Sequence, residues 1–285
     1  MSQYTTLIDC DQLATLLQDG PTPVIFDCRF DLGAPDSGEA AYVDSHLPGA
    51  RYLHLDRDLS GAQTGSNGRH PLPDRECLTA RLRSLGLQHG QQVIMYDAQG
   101  GMFAARAWWL LRWLGHSAVA VLDGGLPAWI ASNQALHTHT PALSAGSFVS
   151  SAPLVSTIER RELLADLEQG KRLTIIDARS ADRFRGENET LDARSGHIPG
   201  ARNRFFRDNL DDGGRFKLPV RLREEFTQLL GQSKASVSVH QCGSGVTACH
   251  NLLALEIAGL AGGQLYPGSW SEWSSDPLAP VALGS

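Results

Sequence analysis

No apolar run in the sequence reaches the length of a membrane span, because charges or glycines break the longest candidates. That argues against a helical membrane protein. Cysteine is scarce and odd in number: Cys10, Cys28, Cys77, Cys242 and Cys249 are five among 285 residues. Such a set makes no disulfide framework and fits a reducing, cytoplasmic compartment. There is no basic excess; the net charge of −6 argues against general nucleic-acid binding. Met1 to Asp11 carries acids and polar groups where a signal peptide would carry a basic region before an apolar core, so none is expected. Cys242, Cys249 and His250 lack the paired Cys-x-x-Cys spacing of a zinc site, so no metal is expected. What remains is ordinary globular composition, 42% hydrophobic and 20% charged, in a chain long enough for two domains.

The chain repeats itself. Ile25-Phe-Asp27-Cys-Arg29 returns as Ile176-Asp177-Ala-Arg179, and Ser45-His46-Leu-Pro-Gly-Ala50 as Gly196-His197-Ile-Pro-Gly-Ala201. Val93-Ile-Met-Tyr-Asp97 returns as Val237-Ser-Val-His-Gln-Cys242, and Leu122-Asp-Gly-Gly-Leu-Pro-Ala-Trp129 is echoed by Leu265-Tyr-Pro-Gly-Ser-Trp270. Four landmarks in one order mean an internal duplication. Apolar strands are expected near 24–27, 93–97 and 118–122, and again near 173–177, 236–241 and 264–266. Helical segments between them, such as Arg106 to Leu114, give an α/β fold: in each half a parallel sheet covered by helices. The Ser-, Thr-, Pro- and Ala-rich stretch ending at Pro153 reads as a linker. The expected division is a domain over 1–140, a linker over 141–153 and a domain over 154–285.

Cys242 is the most informative residue. The β-branched run before it reads as a buried strand, and Leu252 to Leu260 reads as a helix. Between them Cys242 opens a short loop with Gly243 and Gly245. A thiol at the end of a strand, facing loop amides and a helix start, sits where anions are favoured and should act as a nucleophile. The first half has Asp97 at the aligned position, so only the second half keeps the nucleophile.

These duplicated landmarks, the Cys242 loop and the Gly-Ser-Trp-Ser-Glu-Trp273 segment resemble the rhodanese superfamily over nearly the whole chain. The resemblance implies two tandem rhodanese-like domains, the first inactive and the second a sulfurtransferase. The loop Cys242-Gly-Ser-Gly-Val-Thr-Ala248 is similar to that of 3-mercaptopyruvate sulfurtransferases, whereas thiosulfate sulfurtransferases carry basic side chains there. It implies a small-molecule sulfur donor, a persulfide on Cys242, and transfer to a thiol, thioredoxin or cyanide, with no metal or organic cofactor. The amides of Gly243, Gly245, Val246 and Thr247 would hold the sulfur. Ser244, His70 and Asp56 match a proton-handling set, and Arg183 matches the first of two donor-binding arginines. The second would fall near Asp192, in a segment that is shorter here; Arg194 is the alternative.

Other residues read as structural. His46 and His197, Asp27 and Asp177, and Arg29 and Arg179 occur in both halves and would hold loops. Cys249 falls inside the helix as a core thiol, and Trp108, Trp109 and Trp113 as packing. A phosphatase of the Cys-x5-Arg type is disfavoured because position 248 is alanine. A thiosulfate enzyme and a non-catalytic sulfur-sensing module remain the alternatives.

Overall fold

The computed structural model describes residues 3–19, 21–140, 142–170 and 172–285. Pro141, the first residue of the expected linker, lies outside them. The chain forms two compact units: Met1–Gly61, Pro73–Leu154 and Asp212–Phe216 make the first; Ala62–Leu72, Val155–Asp211 and Lys217–Ser285 make the second.

In the first unit, β1 (Leu7–Ile8), α1 (Cys10–Asp19), β2 (Val24–Asp27), α2 (Ser37–Asp44) and β3 (Arg51–Tyr52) come first. Then follow α3 (Arg75–Ser84), β4 (Val93–Tyr96), α4 (Ala104–Trp113), β5 (Val119–Leu122) and α5 (Gly125–Ala131). The sheet order is β1-β5-β4-β2-β3, all parallel. Every residue of β2, β4 and β5 is buried. Both faces are therefore covered by helices, which is why these strands are continuous β-branched and apolar runs without alternation. Trp108 and Trp109 are fully buried in α4. Trp113 is only half-buried and receives the Arg75 guanidinium 4.9 Å from its ring centre. Asp74 starts α3 by accepting the Cys77 N–H at 2.9 Å.

The second unit carries β6 (Ser156–Thr157), α6 (Arg160–Gln169), β7 (Thr174–Asp177), α7 (Ala181–Arg185), β8 (Arg202–Asn203) and α8 (Pro219–Leu230). It ends with β9 (Ser238–Gln241), α9 (Thr247–Ile257), β10 (Gln264–Leu265) and α10 (Ser269–Ser275). Its order, β6-β10-β9-β7-β8, repeats the first sheet strand for strand. A capping box between Glu159 and Glu162 starts α6, and Pro219 starts α8. The helix after Cys242 begins at Thr247, earlier than Leu252, and ends at Ile257. His250 and Asn251 look like loop residues by type, but both are fully buried in α9 and face Asn209. The Asn209 amide donates to Asn251 Oδ1 at 2.7 Å and lies 3.1 Å from His250 Nδ1. Among the described residues no helix is long and apolar enough to cross a membrane.

Candidate active site

Cys242 follows the last residue of the central strand β9, and α9 begins at Thr247. The thiol is 2% exposed. Gly245 shapes the loop. Its φ is +78°, and a Cβ there would lie 2.4 Å from the Pro267 carbonyl oxygen. Only glycine allows both. The resulting turn lets the Gly245 N–H donate to Cys242 Sγ at 3.2 Å. Val246 and Thr247 are buried at the start of α9, whose helix end favours an anion in this loop. The backbone below the sulfur is fixed on three sides. The Cys242 N–H donates to Ser269 Oγ at 3.1 Å, and its carbonyl accepts from Trp270 N–H at 2.9 Å. The Gly243 carbonyl accepts from Ser271 N–H, also at 2.9 Å. Ser269 holds a left-handed φ of 53° while donating its hydroxyl to the Tyr266 carbonyl at 2.9 Å.

Segment Ala62–Leu72 belongs to this same unit and brings His70 to the loop. His70 Nδ1 lies 2.7 Å from Ser244 Oγ; the imidazole is 5% exposed and the serine 7%. Two of the expected proton-handling residues thus meet. Asp56 belongs to the first unit, where it is exposed and its N–H donates to His54 Nδ1 at 3.1 Å.

Two guanidinium groups stand over Gly243. A Cβ at Gly243 would lie 2.8 Å from Arg69 Nη2, and 3.6 and 3.7 Å from Arg183 Nη1 and Nη2. Arg183 is the expected donor-binding residue. It is gripped by Glu189 (2.8 to 3.2 Å) and by Asp192 Oδ2 at 3.1 Å. Asp192 Oδ1 contacts Arg69 Nη1. Arg179 joins from behind, paired with Asp177 at 2.7 Å and Glu189 at 3.3 Å. Burial pulls the Arg69 guanidinium below its ordinary value, against the attraction of Cys242; the neighbouring Arg183 pulls it further down. Arg69 was not among the candidates read from the sequence, although it stands next to His70. Arg194 is turned away: its guanidinium donates to the carbonyls of Ser274, Asp276 and Ala279 at 2.7 to 3.1 Å.

The repeated residues hold structure. Arg29 grips Asp27 at 2.6 Å, as Arg179 grips Asp177. His46 stacks on Tyr42 (4.1 Å) and contacts its carbonyl at 2.6 Å; His197 stacks on Phe184 (3.8 Å) and contacts that carbonyl at 2.8 Å. Asp97 fills the first unit's version of the loop. One of its oxygens accepts from Gln99 and Gly101 N–H, the other from Phe103 and Ala104 N–H, at 2.8 to 3.0 Å. Burial raises its pKa, and the four N–H groups oppose the rise. Cys249 is fully buried, its thiol 3.4 Å from the Gly245 carbonyl.

The sheet order and the strand-to-helix loop, which carries Cys242 in the second unit and Asp97 in the first, define a doubled α/β scaffold. The rhodanese-like domain family matches residues 9–132 and 159–276. The chain belongs to that family. It is 46% identical over 280 residues to a provisionally named 3-mercaptopyruvate sulfurtransferase of Pseudomonas aeruginosa, covering 98% of each chain. It is 39% identical over 279 residues to a provisionally named thiosulfate sulfurtransferase, SseB, of Mycobacterium tuberculosis, covering 98% of this chain and 97% of that one. The solved 3-mercaptopyruvate sulfurtransferase of Leishmania major aligns with a TM-score of 0.81 and 30% identity, over 95% of this chain and 74% of that one.

Proposed function

We propose that this protein is a sulfurtransferase that takes sulfur from 3-mercaptopyruvate onto Cys242 and passes it to a thiol, thioredoxin or cyanide. The enzyme class is supported by the family and by the relatives. The single observation that carries the chemistry is the Gly245 N–H pointing at Cys242 Sγ from 3.2 Å.

The Cys242 thiolate attacks the donor's sulfur. The S–S bond forms as the donor's C–S bond breaks, and that electron pair goes to carbon as the enolate of pyruvate. The proton carried by the donor's sulfur ends on that carbon, giving pyruvate and a Cys242 persulfide anion. The acceptor then attacks the outer sulfur and returns the Cys242 thiolate, in ping-pong order. The amides of Gly243, Gly245, Val246 and Thr247 hold the persulfide, and Arg183 binds the donor's carboxylate. Ser244 and His70 move the proton near the donor carbonyl. The place of Asp56 in that relay rests on family resemblance, and Asp56→Asn tests it. The first repeat, with Asp97 at the nucleophile position, is structural. All five cysteines are free thiols, which fits a cytoplasmic enzyme.

A second reading is thiosulfate as the donor, favoured by the name of the Mycobacterium tuberculosis relative. Side-by-side kcat/KM for the two donors, with intact-mass detection of one added sulfur on Cys242, separates them. Cys242→Ala is expected to lose turnover and sulfur uptake with both while keeping its fold. Turnover retained in that variant would refute the mechanism.

A further inference from the structure

We propose that Arg69 is the second guanidinium of the donor site, binding the oxyanion end of the sulfur donor together with Arg183. The proposal rests on the sulfurtransferase reading above. The resemblance implies a second donor-binding arginine near Asp192; Arg194 there is turned to backbone carbonyls, and a second positive charge comes instead from segment Ala62–Leu72.

Both guanidiniums converge on one spot. Arg69 Nη2 is the heavy atom nearest to the Cβ position of Gly243, and Arg183 Nη1 comes next at 3.6 Å. Gly243 follows Cys242 directly, so these nitrogens border the space a donor enters. Both groups are also held by acidic side chains. Asp192, 2% exposed at its side chain, offers one oxygen to Arg69 Nη1 and the other to Arg183 Nη2. A carboxylate shared in this way relieves the repulsion between two adjacent cations and fixes their planes. Asp192 is thus a positioning residue. It holds Arg69 through Nη1 and leaves Nη2 toward the loop, while Arg183 sets both terminal nitrogens there, Nη2 shared with Asp192; the result is a two-cation fork suited to a carboxylate or sulfonate.

The backbone places Arg69 there independently of its side chain. Its N–H donates to Ser271 Oγ at 3.1 Å, and the Ser271 N–H in turn holds the Gly243 carbonyl at 2.9 Å. One residue earlier, Gly68 has φ +83°, and a Cβ there would lie 2.7 Å from the Gly268 carbonyl oxygen. The segment can approach this closely only with glycine at 68. An arginine serving only as a surface partner of Asp192 would need neither the second nitrogen aimed at Gly243 nor this anchoring. The side chain is 29% exposed, so an incoming anion can reach it.

The test compares wild type, Arg69→Gln and Arg69→Lys. A charge-assisted contact contributes about 1.5–3 kcal/mol, so Arg69→Gln should raise KM about 10- to 100-fold. Its kcat should change much less, and Arg69→Lys should restore part of the loss. An increase for 3-mercaptopyruvate alone assigns the fork to a carboxylate; one for thiosulfate alone assigns it to a sulfonate. A second readout needs no turnover: the rate of Cys242 alkylation by anionic iodoacetate relative to neutral iodoacetamide. Arg69→Gln should lower that ratio about tenfold. An unchanged KM together with an unchanged ratio overturns the proposal. If wild type takes sulfur from neither donor, the functional reading fails, and the alkylation ratio still decides whether Arg69 attracts anions to the thiol.

Discussion

The His70 imidazole and the Ser244 hydroxyl stand 2.7 Å apart, joined across 174 residues of sequence and almost fully enclosed. A buried imidazole–hydroxyl pair beside a nucleophile can move a proton to or from the group that leaves the sulfur. Ser244→Ala and His70→Ala are each expected to lower kcat with 3-mercaptopyruvate about 100-fold, the lower range of general acid–base catalysis. The double variant should be little worse, because the two act as a unit. Thiosulfate expels sulfite, which needs no proton on carbon, so its turnover should fall less. Steady-state kinetics with both donors checks this; equal losses on both would contradict a proton relay.

The turn under the sulfur makes a stability prediction. Gly245→Ala puts a Cβ 2.4 Å from the Pro267 oxygen in a backbone region that L residues rarely adopt. The strain is expected to cost about 1–3 kcal/mol. Because the Gly245 N–H would shift, sulfur loading of Cys242 should fall as well. Urea unfolding and intact-mass loading on the same preparation read both effects. A variant as stable as wild type would show that the loop adapts.

Much of this was legible in the chain. The buried strands β2, β4, β5 and β7 announce themselves as largely apolar runs, whereas β9, Ser-Val-His-Gln, is legible from Val237 and Val239 and from its place in the repeat. The repeat singled out the loop after β9, and family resemblance pointed to His70 and Ser244, which the fold brings to 2.7 Å of each other. The edge strands β1, β3, β6 and β8 are two residues each, too short to leave a pattern. The start of α9 was hidden because Thr247, His250 and Asn251 are weak helix formers; the last two are buried in the helix against Asn209. Arg69 was missed for a different reason: its partner Asp192 is 123 residues away, and no spacing rule reaches that far.

Asp97 tests the idea that the first repeat is structural. Its two oxygens satisfy four buried N–H groups. Asp97→Ala would leave those donors without an acceptor, at a cost of several kcal/mol. The first unfolding step should move to lower urea concentration, while Cys242 in the molecules still folded should load sulfur at the wild-type rate. Loss of loading at full stability would instead place Asp97 in the chemistry.

His240, fully buried in β9, should make stability depend on pH. Among the described residues its Nδ1 has no hydrogen-bond partner, and its Nε2 lies 3.1 Å from Ser238 Oγ. Burial pushes its pKa down to about 3, from an ordinary value of 6.5. The folded chain therefore excludes a proton that the unfolded chain binds once the pH drops below 6.5. Stability is held at neutral pH and falls as pH falls through that window, by about 1.4 kcal/mol per pH unit, or about 2 kcal/mol at pH 5. His240→Phe keeps a ring in the sheet and removes the titration. Ser238 retains its hydrogen bond to the Ala235 carbonyl at 2.7 Å. The variant's unfolding free energy should therefore drop less than wild type's between pH 7.5 and 5, by about that amount. Parallel curves for the two proteins would mean that the imidazole charges in the folded state, and that water or a shifted neighbour accommodates it.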